Sequence, residues 1–524
     1  MATSYLTPGV YVEEVPSANK PIEGVGTSIA AFVGLAPGGP VNRPTRISNW
    51  TQFATIFGDS QNPENGPFME GAYLAHSVYG FFQNGGGLAW IVRVGSSDGG
   101  VRMAALPAAG DGNAEAFRAV ALKGVDQDVK LELTAEQAPG GGGEGGEGGG
   151  GEGQQQTTYN LKITAGSETE EFDGLTVKKG RSYIVTKVNS ASKLIKLEET
   201  GGSLPDVALA PGSYTLSMPK QAGEDISPSQ FEGDVAKREG MGGLAAVDEV
   251  TMVVCPDVMA FANNGDDTAL RDLQGKMIAH CENMGDRMAI LDTPPNLNPQ
   301  DAYEWRMNAA GYDSKFATLY YPWVEVMDPI SKRPLMVPPS GHVAGVWCRT
   351  DGTRGVHKAP ANEVALGVNG LAFQVTAEEQ GSLNQRGINC IRAFPGRGIR
   401  IWGARTLSSD PEWRYINVRR LFNYISESIM EGTQWAVFEP NDERLWMRLR
   451  ISVSSFLTRT WREGALFGAT PDEAFYVKCD SETNPPDVID AGQVVMEIGI
   501  SPVKPAEFVI FRISQFTAGA TEVS

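Results

Sequence analysis

Cysteine and histidine are scarce in this chain. Its 524 residues include five cysteines, Cys255, Cys281, Cys348, Cys390 and Cys479, and four histidines, His76, His280, His342 and His357. The cysteine count is odd and no two lie within three residues of each other. That excludes a disulfide framework and a zinc-ligand spacing, so the cysteines read as reduced, mostly buried thiols. The scattered histidines argue against a metal site, and no cofactor is expected. Long apolar runs are missing too. None approaches 18 residues, so no transmembrane helix and no direct membrane insertion are expected. The start, Met1-Ala2-Thr3-Ser4-Tyr5, has neither the basic nor the apolar stretch of a secretory signal. No Walker motif occurs. Gly24-Val25-Gly26 and Gly396-Arg397-Gly398 each lack the third glycine of a dinucleotide fingerprint. Positive charge is short: Lys plus Arg is 44 against 63 Asp plus Glu, a net charge of −19. Such a surface repels phosphate over most of its area, which speaks against nucleic acid as a partner.

What is present is a globular balance of 41% hydrophobic and 20% charged residues. At about 150 residues per domain the length suggests two to four domains. Gly140 to Gly153 contains only Gly and Glu. It cannot bury a core and reads as a self-repelling loop with a reach of about 20 Å. Around it lie short alternating runs, Val129–Leu133, Tyr159–Ile163, Tyr183–Val188 and Leu194–Leu197, which predict a small all-β domain inserted at 101–234. Beyond Gly243 the pattern changes. Thr251–Cys255, Arg287–Leu291 and Phe316–Tyr321 are continuous apolar strands. A helix begun by Asp266 or Asp267, with Leu270, Leu273, Met277 and Cys281 inward, and another over 301–310 separate them. That order predicts an α/β core with a mixed or parallel sheet flanked by helices. Two further helices follow. One is capped by Asp410 and Pro411, carries Tyr415, Val418, Phe422, Ile425 and Ile429, and ends at Gly432. The other runs from about Asp442 to Glu463 with Leu445, Leu449, Val453 and Phe456 inward. Strands are expected over 474–479, 493–500 and 507–515. The domains are then an N-terminal arm (1–20), a discontinuous core (21–100 and 235–490), the insertion, and a C-terminal strand arm (491–524).

Catalytic signals are thin, and no catalytic residue is assigned. Gly95-Ser96-Ser97-Asp98-Gly99 fits G-x-S-x-G after an apolar strand. No helix follows directly, as a nucleophile elbow requires, so a polar connection is the better reading. Asp257 and Asp292 end two predicted parallel strands, where α/β enzymes place ligands. The plainer reading is that they stop strands and cap helices. His280 and Cys281 are adjacent on a helix and diverge by about 100°; a core cysteine beside a surface histidine accounts for them.

Two other features point towards assembly. Arg386, Arg392, Arg397, Arg400, Arg405, Arg414, Arg419 and Arg420 face only Asp410 and Glu412 within Gln385–Arg420. Such segregation fits contact with acidic surfaces, including copies of the same chain, or else internal ion pairs. The ends are apolar strands where chain ends are normally polar. Val10, Tyr11 and Val12 lie in one, and Phe508, Val509, Ile510 and Phe511 in the other. Such strands need a partner. They either pair with each other inside the chain or act as arms completing a neighbour's sheet.

The ordered motifs resemble the contractile tail-sheath family of myophages and phage-tail-like injection systems. They are Tyr5-Leu6-Thr7-Pro8-Gly9-Val10-Tyr11-Val12-Glu13-Glu14, Gly26–Gly34, Gly341-His342-Val343-Ala344-Gly345, Arg349-Thr350-Asp351, Lys358–Asn362, Leu383–Arg392, Arg400–Leu407, Trp413–Arg420, Phe438-Glu439-Pro440-Asn441, Gly464-Ala465-Leu466, Asn484-Pro485 and Pro505-Ala506-Glu507-Phe508. They cover roughly the first 100 residues and about 335–516. The resemblance implies a structural, non-enzymatic subunit that polymerises as stacked six-subunit rings around an inner tube protein. Baseplate and terminal cap proteins would be further partners. Contraction would drive the tube through a target envelope without a nucleotide. Residues 335–490 would form the C-terminal sheath domain. Assembly would take place in the bacterial cytoplasm; the product would stay there, be released as a particle, or serve as a virion tail. A breakable tube contact favours polar groups, and Arg444, Arg448 and Arg459 are the candidates. The alternatives are an α/β enzyme with a crevice at Asp257 and Asp292, and a static self-assembling lattice protein.

Overall fold

Short stretches of apolar or mixed sequence would not by themselves dictate an order; the parallel pairing of the most apolar strands does. The computed structural model describes residues 21–59, 66–69, 71–95, 103–109, 115–122, 129–137, 157–166, 168–199, 208–216, 227–262 and 266–512. Its centre is a nine-stranded sheet in the order Glu363–Val364, Gly398–Ile401, Ile388–Phe394, Ala317–Tyr321, Met288–Asp292, Met252–Val254, Ile29–Gly34, Leu88–Arg93, Thr45–Ile47. The middle strands are all parallel. Antiparallel pairs close both margins. The three expected apolar strands sit side by side, with every residue of Met252–Val254, Met288–Asp292 and Ala317–Tyr321 buried. Side chains alternate between faces. Ala31, Val33, Val253, Ala289 and Leu291 enter one core with the Thr268–Met284 helix. Ala30, Phe32, Met252, Val254, Met288 and Ile290 enter the other, under the Leu74–Gln83 and Ser340–Arg354 helices.

Those last two helices meet backbone to backbone. A Cβ on Gly341 would strike Ser77, one on Gly345 would strike Phe81, and one on Gly80 would strike the His342 ring. The Gly341–Gly345 motif is thus a packing device: two glycines four residues apart open one helix face to close approach.

The inserted region has its own core of residues such as Leu131, Tyr159, Ile163, Ile184 and Leu197. One sheet orders Met103–Pro107, Glu115–Ala121 and Ile195–Glu199. The other orders Gly212–Leu216, Val129–Gln137, Thr157–Ala165 and Glu168–Leu175. Gln137 pairs with Thr157, so the Gly/Glu stretch connects two antiparallel neighbours; that stretch itself lies outside the described residues, as do Ser96–Asp98. The region is not all-β. The expected strand Tyr183–Val188 is a helix, Ile184–Ala191, with Ile184 and Val188 buried. Their four-residue spacing fits a helical face, and Asn189 ties the helix to both backbone groups of Leu197. A short apolar run is ambiguous between the two periods, and tertiary context decides.

The C-terminal unit corrects a second expectation. Asp410 caps only the short turn Pro411–Trp413. The long helix starts later, Ile416–Thr433, and passes through Gly432. Gly432 is small because Ile22 packs on it, not because it ends the helix. The next helix, Glu443–Arg462, is as expected: Asp442 accepts from Arg444 and Leu445 N–H, and Leu445, Leu449, Val453 and Phe456 are buried. Phe475–Lys478 and Glu497–Ile500 then pair with each other in a two-stranded sheet. Residues 507–512 of the expected final strand are in no strand.

His342 supplies a test of the helix pair. Burial, with His76 beside it, pushes its pKa down to about 4, below the unfolded value of about 6.5. The unfolded chain therefore takes up a proton as pH falls through 6.5, while the folded chain does not until near 4. Stability is lost across that window, by about 2 kcal/mol between pH 8 and pH 5. Urea titrations at the two pH values should show this loss in the parent chain beyond whatever H342L loses. Equal losses would mean that His342 is not held neutral.

Candidate functional site

The strand-end carboxylates come first, because they carry the enzyme reading. Asp257 is fully buried and accepts from the backbone N–H groups of Leu35 (2.6 Å) and Tyr73, just ahead of the Leu74–Gln83 helix. Asp292 accepts from Ser340 N (2.9 Å) and Ser340 Oγ (2.5 Å) at the first residue of the Ser340–Arg354 helix. Burial raises both pKa values to about 7, and it pushes the Cys255 thiol far up. Both carboxylates serve helix starts, where N–H groups lack intrahelical partners. Neither faces a crevice, so the proposed enzyme site at Asp257 and Asp292 is not formed. All five cysteines are buried free thiols. Among the described residues no group of three or more His, Cys, Asp or Glu is placed to hold a metal ion. Likewise no helix there is long and apolar enough to cross a membrane.

The arginine cluster is mostly internal. Arg392 donates to Val375 O and Gln380 Oε1, and Arg400 donates to Asn362 O. Arg397 lies over the Phe394 ring. Arg419 is buried on Asn423 and the Trp413 ring, and burial lowers its pKa to about 10. Arg405 pairs with Glu507. Arg420 reaches across from the Ile416–Thr433 helix to Asp351 on the Ser340–Arg354 helix, at 2.8 and 2.5 Å. It also donates to Thr27 O and lies 4.7 Å from the Trp347 ring. Thr27 Oγ1 and Ser28 Oγ bond the same Asp351 carboxylate. Sequence spacing gives no hint of this joint between residues 27, 351 and 420.

The expected arm segments fall out unevenly. Val10, Tyr11 and Val12 lie outside the described residues. The chain they precede is held on the C-terminal unit: Ile22 is buried, and its carbonyl accepts from Arg459 at 2.7 Å. At the other end, Phe508, Val509, Ile510 and Phe511 are 73%, 68%, 80% and 83% exposed. Among the described residues Phe508–Phe511 pair with no strand. The Phe475–Lys478 and Glu497–Ile500 sheet has only two strands, and each has one edge unpaired among the described residues.

Of the three tube candidates, Arg444 is exposed. Arg448 is half-buried, 3.7 Å from Glu439 and stacked 4.4 Å over the Trp435 ring. Arg459 is exposed but bonded to Ile22 O. At 100° per residue all three share one side of the Glu443–Arg462 helix, and Met447 and Ile451 beside them are about half exposed (48% and 47%).

The described residues form an α/β body with open edges on a two-stranded sheet and an uncovered apolar segment at Phe508–Phe511, features of a structural protein built for contacts more than for catalysis. Residues 236–407 match the phage tail sheath protein central domain, and residues 408–516 match the phage tail sheath C-terminal domain. Together these span more than half of the chain, which belongs to the phage tail sheath family. It is 24% identical over 523 residues to a tail sheath protein of Burkholderia phage BcepMu, covering 97% of this chain and 96% of that protein. It is 28% identical over 278 residues to the tail sheath protein of Vibrio phage KVP40, covering 52% of this chain and only 37% of that protein. In fold it is similar to the sheath of an extracellular contractile injection system, PVC, solved in the contracted state. That match has a TM-score of 0.58 and 24% identity, and it covers 98% and 99% of the two chains.

The buried joint is open to mutation. D351N leaves the Arg420 charge without its counter-ion and should cost about 3–5 kcal/mol, because an unpaired buried charge is the expensive state. The double variant D351L/R420M should recover at least half of that loss, by chemical denaturation. A D351N chain as stable as the parent would show that the pair is not needed.

Proposed function

We propose that this chain is the repeating subunit of a contractile sheath. It polymerises as stacked six-subunit rings around an inner tube and contracts to drive that tube through a target envelope. One observation carries the reading: the same chain has an incomplete two-stranded sheet and an uncovered apolar segment, Phe508–Phe511. A two-stranded ribbon alone is marginal, and open edges invite added strands. A neighbour's Val10–Val12 segment and another neighbour's Phe508–Phe511 segment complete the sheet by strand addition. Such contacts are not self-complementary, so they propagate as rings and helices instead of closing as a dimer.

Mechanically, the subunits are rigid bodies on flexible connections. The energy of contraction is stored at assembly as one of two packings of the same interfaces, and the baseplate releases it. No reaction is catalysed. The inner tube is gripped through Arg444, Arg448 and Arg459, a polar contact that holds and still lets go. Baseplate and cap proteins terminate the polymer. The 101–234 insertion lies on the outside, clear of the tube. Assembly takes place in the bacterial cytoplasm, and the particle acts there, after release, or as a virion tail.

Electron microscopy of the purified chain tests the reading. The intact chain should form tubes of two lengths; a small particle would favour an enzyme, and one fixed lattice a static shell. Chains lacking residues 1–15, or everything after Lys504, should keep their circular dichroism and form no tubes. Polymerisation of both truncations would end the arm model. For the tube contact, R444E is the cleanest probe because Arg444 is exposed. Co-sedimentation of the tube protein should fall about tenfold, equivalent to about 1.4 kcal/mol, with sheath stability unchanged.

A further inference from the structure

The C-terminal segment is pinned twice before it becomes free. Val503 N–H donates to Ala465 O (3.2 Å), and its carbonyl accepts from Asn417 Nδ2 (3.1 Å), which fixes it to the C-terminal unit. Four residues later Glu507 enters a nest of donors. Arg405 supplies Nε at 2.9 Å and Nη2 at 2.6 Å, Asn384 supplies Nδ2 at 2.6 Å, and Tyr415 supplies its hydroxyl at 3.2 Å. These hydrogen bonds pull the Glu507 pKa down against the opposing effect of burial. The Arg405 and Glu507 side chains are only 11% and 19% exposed. The donors come from three separate places: the end of the Ala377–Gln385 helix, the loop after the Gly398–Ile401 strand, and the residue capping the Ile416–Thr433 helix. Directly beyond, Phe508 to Phe511 are exposed and make no hydrogen bond to another described residue.

A bidentate guanidinium–carboxylate contact with two further charge-assisted bonds is strong and directional. No core cluster includes the described residues after Glu507, Phe508 to Phe511 being exposed, so packing there does not call for the contact. We propose that Glu507 is a positioning residue that fixes the point and direction in which the C-terminal arm leaves each subunit, so that the arm reaches a neighbouring copy in one register. The proposal rests on the sheath reading and adds to it the place where the arm begins. The free arm starts at Phe508 and not at Ser501, where the two-stranded sheet ends. The six residues between, 502–507, are part of the rigid body. Register matters because a one-residue slip exchanges the faces of a strand.

The anchor separates two insertions that are otherwise equivalent. Gly-Gly placed between Val503 and Lys504 lies upstream of Glu507; Gly-Gly placed between Glu507 and Phe508 lies downstream. Both lengthen the same linker by the same amount. With an anchor, the upstream insertion leaves tube yield and helical order unchanged in electron micrographs, and the downstream insertion lowers yield about tenfold or abolishes order. In an E507Q background the two insertions should converge, while the melting temperature of the unassembled E507Q chain stays within a few degrees of the parent. If the two insertions behave alike in the parent background, the anchor is overturned and the sheath reading stands. If the parent chain forms no tubes, the sheath reading falls and the anchor with it.

Discussion

The fold depends on one buried ion pair, Arg420 with Asp351. Their side chains are 4% and 3% exposed, and they come from different parts of the molecule. Arg420 belongs to the C-terminal unit, Asp351 to a helix on the face of the central sheet. Thr27, on the segment entering the first sheet strand, bonds both. Removing either charge strands the other in a poorly polarisable site, so each half of the joint is tied to the presence of the other. The Trp347 face covers the guanidinium and keeps water out. A subunit built this way transmits load between its halves as one body, and change is left to the contacts between copies.

Those contacts are built from the opposite material. The exposed Phe508–Phe511 segment is apolar, non-directional and without a partner among the described residues. The two-stranded sheet of Phe475–Lys478 and Glu497–Ile500 offers backbone groups along two edges among the described residues. Backbone ladders are indifferent to side-chain identity, so they can persist while the bodies around them turn. Polar specificity is concentrated inside the subunit and at the root of the arm. Generic strand pairing is left to the interface.

The sequence made much of this legible, and the reasons are physical. Thr251–Cys255, Arg287–Leu291 and Phe316–Tyr321 were readable as parallel strands because both faces of each are buried, leaving continuous apolar runs. The Glu443–Arg462 helix was readable because one face is apolar and Asp442 caps it. Tyr183–Val188 misled, because six residues cannot distinguish a period of 2 from one of 3.6. Gly432 misled because a glycine that admits Ile22 looks like one that ends a helix. Asp257 and Asp292 stood where catalytic groups stand, and only their hydrogen-bond partners, far away in sequence, reveal helix capping. The joint of Thr27, Asp351 and Arg420 was invisible for the same reason. Its residues are 69 to 393 positions apart and ordinary one by one. The clustered arginines gave a true signal of polar contact, yet most of those contacts lie within the chain.

Inside the inserted region, the backbone that follows its first strand pairs with the backbone that precedes its last. Ala109 N–H bonds Ala208 O, and Ala210 N–H bonds Pro107 O, so its first and last strands run side by side. Its apolar residues form a cluster of their own. A module with adjoining ends and a private interior can be exchanged without re-routing the chain around it. Repeated at every position of a polymer, such a socket is a regularly spaced display site, where a binding domain or a fluorescent reporter could be grafted in many copies along a single filament.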